Sequence, residues 1–476
     1  MNADVIIIGA GAAGLGCGAL LSQKGLKVVL FEKEPYTGGR AISVNYKGYI
    51  LDKGFHLLTL GEASPCAELL QRVGRRLVLA ESYTDGVQIW RKGGWQDITE
   101  FRKQSPESNR AFKKVIQDIL SMSQDEVEAL DHVSLKSWLE ETTQDQAVLE
   151  LLGLAGFWFG VNDPSDMAAS EIIHEIKRNL EKNHAMGIGC EPEGGYVNII
   201  RPLIDVIQES GGQIFTCKKV NQIVIEKNVA RGAMVEKADA EFPSELMDIK
   251  IPEGDFFKAP VIICTVPLRQ IPGILPWQEL PSWFRDRINF LKNQAGLGGL
   301  MVAMGIRRMV SKSRKYFVAI NTPRERLIFE ALFMSNIDPS TAPEGKQLFL
   351  TGCFGDIQDI WENGRVRPGL LGEVLDTTSQ FFPEVMQEKE WSIDTAIQGL
   401  MPVIAKPGLV GRHKIQSVCP NIKGLFFAGD GYEGRGVGIN HAMDSAMNCV
   451  QSVLDFLKIE RIKMVTSKNW FQKDPE

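Results

Sequence analysis

The feature that most constrains the fold is a glycine pattern that follows a short apolar run. Val5 to Ile8 is a run of β-branched residues, which is typical of a buried strand. Gly9, Gly11 and Gly14 follow with the spacing G-x-G-x-x-G, among small residues that can open a helix. No basic residues precede the run, as they would in an export signal, and its glycines argue against a membrane span of about twenty apolar residues. The pattern therefore predicts a strand, a tight turn and a helix.

This strand–turn–helix unit has the properties of a dinucleotide site. One glycine permits the tight turn, one lets the backbone approach a pyrophosphate, and one lets the helix pack closely on the strand. The helix N-terminus offers free N–H groups to the phosphates. A second apolar strand, in "KVVLFEKE", ends at an acid eighteen residues after the third glycine, where a carboxylate can bind a ribose hydroxyl. The predicted nucleotide-binding residues of this unit are Gly9, Ala10, Gly11, Ala13, Gly14, Glu32 and Lys33.

Two later glycine-rich segments extend the predicted site. In the first, "TGGRA", Gly38 and Gly39 permit a second close approach of the backbone, and Arg40 can bring a positive charge to a phosphate. The second is "GLFFAGDGYEGRGVGINHAM", where an apolar strand leads through Gly429 and Asp430 into a glycine-rich turn and a long helix. The first motif alone leaves the choice between FAD and NAD open.

Together these motifs resemble the two-ended FAD signature of the flavin amine oxidase and phytoene desaturase superfamily. The similarity is greater to its phytoene-dehydrogenase-like branch, in which "GGR" precedes a segment like "YKGYILDKGFHLL" and the chain ends on a similar strand–turn–helix. Residues 193–235 and 259–268 also follow the order of that family, whereas residues 91–190 and 271–390 match it only loosely. The resemblance implies FAD, held noncovalently, as the cofactor.

The resemblance also implies an α/β fold with two units. A Rossmann-like FAD-binding domain is discontinuous, and an α+β substrate domain is inserted between its pieces. A chain of 476 residues exceeds the usual size of a single core, which agrees with two units. The predicted limits are residues 1–90, 191–270 and 395–460 for the FAD-binding domain, 91–190 and 271–394 for the substrate domain, and 461–476 for a tail.

Further site residues follow from the resemblance. In that family FAD lies extended, with its adenosine at the first motif and its isoalloxazine beneath the C-terminal helix. The positive end of this helix would face the flavin edge that gains negative charge on reduction. A mid-chain valine would bring backbone groups to the adenine. The residues added to the predicted cofactor site are Gly38, Gly39, Arg40, Gly54, Phe55, His56, Val220, Gly429, Asp430, Gly438, Ile439 and Asn440.

His56 is the predicted catalytic residue. The resemblance puts it near the flavin, where an imidazole can act as general acid or base on an alkene carbon. The alternative is a histidine that packs against FAD for shape and hydrogen bonding. His441 is a weaker candidate for the same role. No metal site is predicted, because the eight cysteines are dispersed, without C-x-x-C pairs or Cys/His clusters at zinc-ligand spacing.

The predicted function is FAD-dependent desaturation, saturation or isomerisation of carbon–carbon bonds in a small hydrophobic, isoprenoid- or carotenoid-like substrate. Hydride transfer at a flavin needs the carbon to be held in place and water excluded, so a pair of catalytic side chains is not required. Two alternatives stay open: an oxidase of amines or of a protoporphyrinogen, and a flavin-binding scaffold or redox sensor. The turn "GRGVGIN" lacks the aromatic residue that amine oxidases of this superfamily have there, which lowers the rank of amine oxidation.

Composition bears on partners and location. A net charge of -6 gives no general attraction for phosphate backbones, so no nucleic-acid partner is predicted. Dispersed cysteines are typical of reduced thiols, which favours a cytoplasmic protein. Two apolar segments, residues 147–161 and 274–284, allow either a buried core or a surface that contacts a membrane. Peripheral membrane contact and the oligomeric state therefore stay open.

Overall fold

Strands and helices alternate at both ends and in the middle of the chain. The computed structural model describes residues 3–53, 58–81, 84–98, 105–159, 161, 163–181, 192–238, 255–294, 296–320, 327–401 and 403–470. The strands are β1 (Val5–Ile8), β2 (Val28–Phe31), β3 (Ser43–Tyr46), β4 (Tyr49–Asp52), β5 (Val87–Arg91), β6 (Gly94–Asp97), β7 (Gln213–Phe215), β8 (Lys218–Glu226), β9 (Val229–Lys237), β10 (Asp255–Lys258), β11 (Val261–Cys264), β12 (Leu297–Ile306), β13 (Tyr316–Ile320), β14 (Ile328–Phe333), β15 (Gln347–Asp356), β16 (Trp361–Glu362), β17 (Arg365–Val366), β18 (Lys389–Met401) and β19 (Leu425–Phe427).

Helices connect and cover these strands. The α-helices are α1 (Ala12–Gln23), α2 (Pro65–Arg72), α3 (Pro106–Ser121), α4 (Gln124–Ala129), α5 (Leu135–Thr142), α6 (Gln146–Gly153), α7 (Ala169–Glu181), α8 (Val197–Glu209), α9 (Ser282–Asn293), α10 (Met334–Ile337), α11 (Ile357–Ile360), α12 (Leu370–Phe381), α13 (Pro383–Glu388) and α14 (Gly438–Trp470). Short 3-10 turns lie at Gly61–Ala63, Leu130–His132, Leu154–Phe159, Leu268–Gly273, Trp277–Glu279, Pro339–Thr341 and Gly411–His413.

A five-stranded parallel sheet forms the first unit. Its strand order is β19-β11-β1-β2-β7, so its strands come from both ends and the middle of the chain. β1, β2 and β11 are buried at every position, as expected of parallel strands that are covered on both faces. Helices α1, α8 and α14 pack on one face, and the antiparallel sheet β10-β9-β8 covers the other. This arrangement is the predicted Rossmann-like unit.

A seven-stranded sheet forms the second unit, with the order β18-β12-β15-β14-β13-β5-β6. Its neighbouring strands are antiparallel except β13 and β5, which are parallel. Helices α12 and α13 cover one face. The opposite face, called the inner face below, packs against the hairpin β3–β4. Its buried side chains are Val87, Ile89, Ala303, Tyr316, Val318, Ile328, Leu332, Leu348, Leu350 and Phe354.

Helices α3 to α7 build a third apolar cluster beside these sheets. The apolar segment 147–161 contributes to it through α6 and the 3-10 turn that follows, with Val148, Leu152 and Phe159 buried. This packing agrees with the core interpretation of that segment. Among the described residues, no helix combines the length and the apolar character that crossing a membrane requires.

The domain limits stay predictions. Two strands cross predicted limits: β5 crosses the limit after residue 90, and β18 crosses the limit after residue 394. Both strands pair along their length within the seven-stranded sheet. The segment predicted as a tail continues α14 as far as Trp470, and residues 471–476 lie outside the described part of the chain.

Candidate functional site

The first glycine motif forms an open cradle between β1 and α1. Gly9 has a φ of +100°, which favours glycine, and the hydroxyl of Thr265 donates to the carbonyl of Ile8 at 2.8 Å and fixes the turn. A Cβ added to Gly14 would lie 2.0 Å from the carbonyl oxygen of Gly9, so this glycine permits the close helix–strand contact. A Cβ added to Gly11 would meet nothing within 4 Å. Backbone atoms therefore fill the space next to Gly14, whereas the space next to Gly11 is free for a ligand.

Glu32 stands at the end of β2 beside this cradle. Its side chain is 7% exposed, and its two oxygens accept hydrogen bonds from the backbone N–H groups of Ala10, at 2.7 Å, and of Glu34, at 2.9 Å. Burial raises the pKa of Glu32, and these two hydrogen bonds act in the opposite direction. Each oxygen keeps a lone pair that a ribose hydroxyl can use. The ammonium of Lys33 pairs with Glu34 at 3.1 Å, and its predicted role at the cofactor stays a prediction.

The motifs from the two ends of the chain meet at Arg40. The N–H of Gly38 donates to the carbonyl of Ala10 at 2.7 Å, which brings the second glycine pair against the first cradle. The guanidinium of Arg40 forms an ion pair with Asp430 and donates to the carbonyl of Gly399, in β18, at 2.7 Å. Arg40 and Asp430 are 390 positions apart in the sequence. Arg40 therefore joins both glycine-rich motifs to the end of the second sheet.

The late glycine motif ends at the start of α14. Gly438 opens this helix with a φ of +55°. The side-chain amide of Asn440 donates to the carbonyl of Thr59 at 3.0 Å and to its hydroxyl at 3.1 Å, across 381 positions of sequence. The amide oxygen of Asn440 is buried and has no hydrogen-bond partner among the described residues. The helix start thus presents an acceptor that a bound ligand can satisfy.

The remaining predicted site residues have different outcomes. Gly54, Phe55 and His56 lie outside the described residues, so the catalytic role of His56 stays a prediction. Val220 is buried on β8, whose first residue, Lys218, donates its N–H to the carbonyl of Glu32. Ile439 is the second residue of α14 and packs, partly buried, against the core of the first unit. The roles of Val220 and Ile439 in FAD binding stay predictions.

His441 is enclosed directly after the start of α14. One ring nitrogen lies 3.0 Å from the carbonyl of Tyr432, and the other lies 3.3 Å from the ammonium nitrogen of Lys414. Burial, and then the charge of Lys414, lower the pKa of His441 well below its ordinary value. Burial also lowers the pKa of Lys414, to about 8. A neutral, enclosed imidazole of this kind is a structural hydrogen-bonding group at neutral pH.

A buried ionic cluster around Arg435 was not predicted from the sequence. The guanidinium lies 2.8 Å from Asp131 and 2.7 Å from Glu171, two carboxylates that are 0% and 3% exposed. The backbone N–H of Gly436 also donates to Glu171, at 3.3 Å. The cluster ties the turn that enters α14 to helices of the third apolar cluster. A charged residue placed among glycines in "EGRGVG" was the signal that could have indicated it.

Glu175 is a second unpredicted polar group near this helix start. It lies on α7, is partly buried and accepts a hydrogen bond from the side chain of Thr59. The carbonyl oxygen of Thr59 in turn accepts a hydrogen bond from the side-chain amide of Asn440. Burial raises the pKa of Glu175 to about 7. Its carboxyl can therefore hold or release a proton near neutral pH.

Comparison with known proteins identifies the family. The model of the family described as "Flavin containing amine oxidoreductase" matches residues 12–454. The chain belongs to this family. The predicted superfamily is thereby confirmed, and FAD is the dinucleotide of the cradle, as predicted. At the level of the family, the prediction of an oxidoreductase is confirmed as well.

Individual relatives are distant. A 4,4'-diapophytoene desaturase of Methylomonas is 24% identical over 49% of this chain and 50% of its own length. An inactive all-trans-retinol 13,14-reductase of Danio rerio is 22% identical over 64% of this chain and 56% of its own. The chain therefore spans little more than half the length of these curated relatives.

Solved structures are similar over nearly the whole chain. An oxidoreductase from Methanosarcina mazei has a TM-score of 0.67 at 20% identity and covers 95% of this chain and 99% of its own. A putative protoporphyrinogen oxidase from Exiguobacterium has a TM-score of 0.65 at 16% identity, over 95% of this chain and 98% of its own. At this level of identity the likeness concerns the fold, and it confirms the predicted fold class.

The described residues fit FAD. The space in front of Gly11 can take a pyrophosphate, and a Cβ on Gly39 would lie 3.3 Å from the Cα of Gly11, so both glycines keep the backbone surface open. At the other end, the unpartnered buried oxygen of Asn440 and the start of α14 offer polar groups to a heterocycle. We therefore expect the cradle to hold the phosphates and the start of α14 to lie near the ring system.

We expect the substitution Glu32→Gln to weaken FAD binding about tenfold and to lower the free energy of unfolding by about 1–3 kcal/mol. An amide would turn its NH₂ group toward one of the two N–H donors that the carboxylate now accepts. Equilibrium dialysis of FAD and urea unfolding of the apoprotein measure both effects. Glu34→Gln is the control, since this exposed neighbour should change neither. Wild-type FAD affinity in Glu32→Gln would contradict the assigned role.

Proposed function

We propose that this protein is an FAD-dependent oxidoreductase that desaturates, saturates or isomerises carbon–carbon bonds of a small hydrophobic, isoprenoid-like substrate. The observation that carries the proposal is the two-ended FAD site beside the apolar inner face of the seven-stranded sheet. Arg40 joins the cofactor cradle to this sheet through the carbonyl of Gly399. The names of the distant Methylomonas and Danio rerio relatives, a diapophytoene desaturase and an inactive retinol reductase, support the same substrate class.

The residues of this chain would bind the cofactor, keep water away from the substrate and provide a carboxyl that can hold a proton. Glu32, Arg40 and Asn440 would hold the cofactor, which when bound accepts or donates an electron pair. The aliphatic and aromatic side chains of the inner face form a buried apolar cluster with the hairpin β3–β4, and this cluster would keep water away from an apolar substrate held beside it. The carboxyl of Glu175 can hold or release a proton beside Thr59. A catalytic metal has no part in this proposal.

One aromatic residue near the late motif argues for alkenes over amines. Tyr432 follows Asp430 closely, yet it is 1% exposed, stacks on Phe427 and donates its hydroxyl to the carbonyl of Val266. It packs in the core and is not available as one wall of an amine cage. This supports carbon–carbon bond chemistry over amine oxidation.

We further propose contact with a membrane surface as the route by which an apolar substrate arrives. The support is on α9, where Trp283 is 61% exposed and Phe290 is 48% exposed, seven positions apart and so on one side of the helix. Arg287 lies over the ring of Phe290 at 5.3 Å. A half-apolar, partly basic helix face of this kind is typical of interfacial helices.

The purified protein should be yellow with two visible absorbance bands, and heat denaturation should release free FAD. Anaerobic addition of acyclic isoprenoid alkenes should bleach the flavin, or dithionite-reduced protein should regain its colour with them. Primary amines of the same chain length are the comparison set. Bleaching by amines, with peroxide release in air, would favour an amine oxidase. A bound flavin that no compound reduces or reoxidises, together with alkenes that are recovered without isomerisation, would favour a scaffold or sensor.

A further inference from the structure

The side chain of Asn440 is a buried acceptor at an open helix start. Asn440 is 1% exposed and is the third residue of α14, and its amide oxygen, Oδ1, has no hydrogen-bond partner among the described residues. A Cβ added to Gly438, the first residue of this helix, would meet no described atom within 4 Å. A buried amide oxygen without a partner costs free energy, so Oδ1 needs a donor from outside the described part of the chain.

Thr59 fixes the orientation of this amide. The NH₂ group of Asn440 donates to the carbonyl oxygen of Thr59 at 3.0 Å and to its hydroxyl oxygen at 3.1 Å. A backbone carbonyl can accept but cannot donate, so the nitrogen of the amide, and not its oxygen, has to face Thr59. These two bonds can take both N–H groups of the amide, which leaves Oδ1 for a ligand.

Glu175 fixes the direction of the Thr59 hydroxyl. Its carboxyl, on α7, accepts a hydrogen bond from the side chain of Thr59. A hydroxyl has one proton and two lone pairs, so a hydroxyl that donates to Glu175 presents a lone pair to the amide of Asn440. The chain of hydrogen bonds from Asn440 through Thr59 to Glu175 therefore has a defined direction, and it connects the start of α14 to α7.

The helix start also offers donors beside this acceptor. The N–H groups of Gly438 and Ile439 belong to the first turn of α14, where no partner within the helix is available. Donors next to an acceptor complement a ring edge on which a carbonyl oxygen adjoins an N–H group. The pyrimidine ring of the isoalloxazine has such an edge, and its N3–H is the only N–H group of the oxidised ring system.

We propose that Asn440 accepts a hydrogen bond from N3–H of the isoalloxazine, and that Thr59 and Glu175 are positioning residues that hold its amide in the required orientation. The inference needs FAD, which the family supplies, and it is independent of the substrate in the proposed function. Such a site favours the neutral pyrimidine ring, because loss of the N3 proton would leave two acceptors facing each other. Thr59 and Glu175 thus contribute to cofactor selection through Asn440.

The test follows the N3 proton of bound FAD directly. The protein is loaded with FAD that carries ¹⁵N at ring nitrogen 3, and the exchange of this N–H with water is measured by NMR at pH 8. Exchange in the wild type should be at least about tenfold slower than in Asn440→Leu, whose side chain is similar in size but has no acceptor. FAD should also bind about tenfold more weakly to Asn440→Leu, a usual effect of losing one hydrogen bond.

Variants of the two positioning residues separate the orientation of the amide from stability. Thr59→Val and Glu175→Leu should each speed the exchange of N3–H by about threefold to fivefold. Thr59→Ser and Glu175→Gln keep the hydrogen-bonding groups and should stay within about twofold of the wild type. Asn448→Leu is the matched control, because Asn448 is exposed about two turns further along α14 and should leave this exchange unchanged.

Two results would overturn the inference. Equal N3–H exchange in the wild type and in Asn440→Leu, at full FAD occupancy, would mean that water or another group meets Oδ1, even if FAD binds more weakly to the variant. Unchanged exchange in both Thr59→Val and Glu175→Leu would refute the positioning role. If Asn440→Leu retains no FAD, the comparison of Thr59→Val with Thr59→Ser decides, and equal exchange in these two refutes the inference. The proposed function survives all of these results, since it is tested by the bleaching of the flavin with alkenes.

Discussion

Replacing Gly11 with tryptophan should give a folded protein that no longer retains FAD. The added side chain has room, since a Cβ there meets nothing within 4 Å, and the φ of -75° at this position is allowed for any residue. The indole would occupy the space that the pyrophosphate needs. We expect FAD affinity to fall by more than about a hundredfold, which corresponds to about 3 kcal/mol. Flavin absorbance after gel filtration, and dialysis against FAD, measure the loss.

Gly14→Ala is the informative contrast within the same motif. Its Cβ would lie 2.0 Å from the backbone oxygen of Gly9, so the strand and the helix would have to move apart. The apoprotein should lose about 3 kcal/mol or more of unfolding free energy, at the upper end of the usual cost of overpacking. The Gly11→Trp apoprotein should stay within about 0.5 kcal/mol of the wild type. Full flavin occupancy in Gly11→Trp would refute the assignment of the cradle.

The cradle could be predicted from the sequence because its requirements are local. Gly9 needs a backbone conformation that favours glycine, Gly14 needs the absence of a Cβ, and both needs fall within one turn. The acid at the end of β2 follows at a fixed distance along the same unit. Such constraints are visible in spacing alone, and the order of strands and helices in the first unit follows from them.

The rest of the candidate site depends on contacts between distant positions. The bonds from Asn440 to Thr59 span 381 positions, and Arg435 meets Glu171 across 264. No local pattern encodes such partners.

Removing the positive charge of Arg435 should have the largest effect on stability in this protein. Asp131 and Glu171 lie 2.8 and 2.7 Å from the guanidinium and are 0% and 3% exposed. The substitution Arg435→Met would remove the guanidinium that both buried carboxylates contact, and breaking a buried ion pair in this way typically costs about 3–5 kcal/mol. We expect this loss in urea unfolding of the apoprotein at pH 8. Arg91→Met, which breaks an exposed pair with Glu150, is the control and should change nothing measurable.

Neutral side chains at the two acidic positions should relieve the loss in this variant. Adding Asp131→Asn and Glu171→Gln to Arg435→Met removes the two buried charges that have lost their guanidinium partner, so it should restore part of the unfolding free energy at pH 8. Urea unfolding of this triple variant beside Arg435→Met measures the recovery.

The same variant tests whether the ionic cluster serves the cofactor as well as the fold. Arg435 and the N–H of Gly436 hold the turn that enters α14 against Glu171, only a few residues before Asn440. Consider the triple variant with Arg435→Met, Asp131→Asn and Glu171→Gln. If the cluster positions this turn, the triple variant should recover stability yet bind FAD more weakly than the wild type. The reason is that its neutral side chains remove the buried charges but do not restore the contacts that hold the turn in place. If the cluster contributes stability alone, FAD affinity should return with the unfolding free energy. Measuring both quantities in the same three proteins separates these two roles.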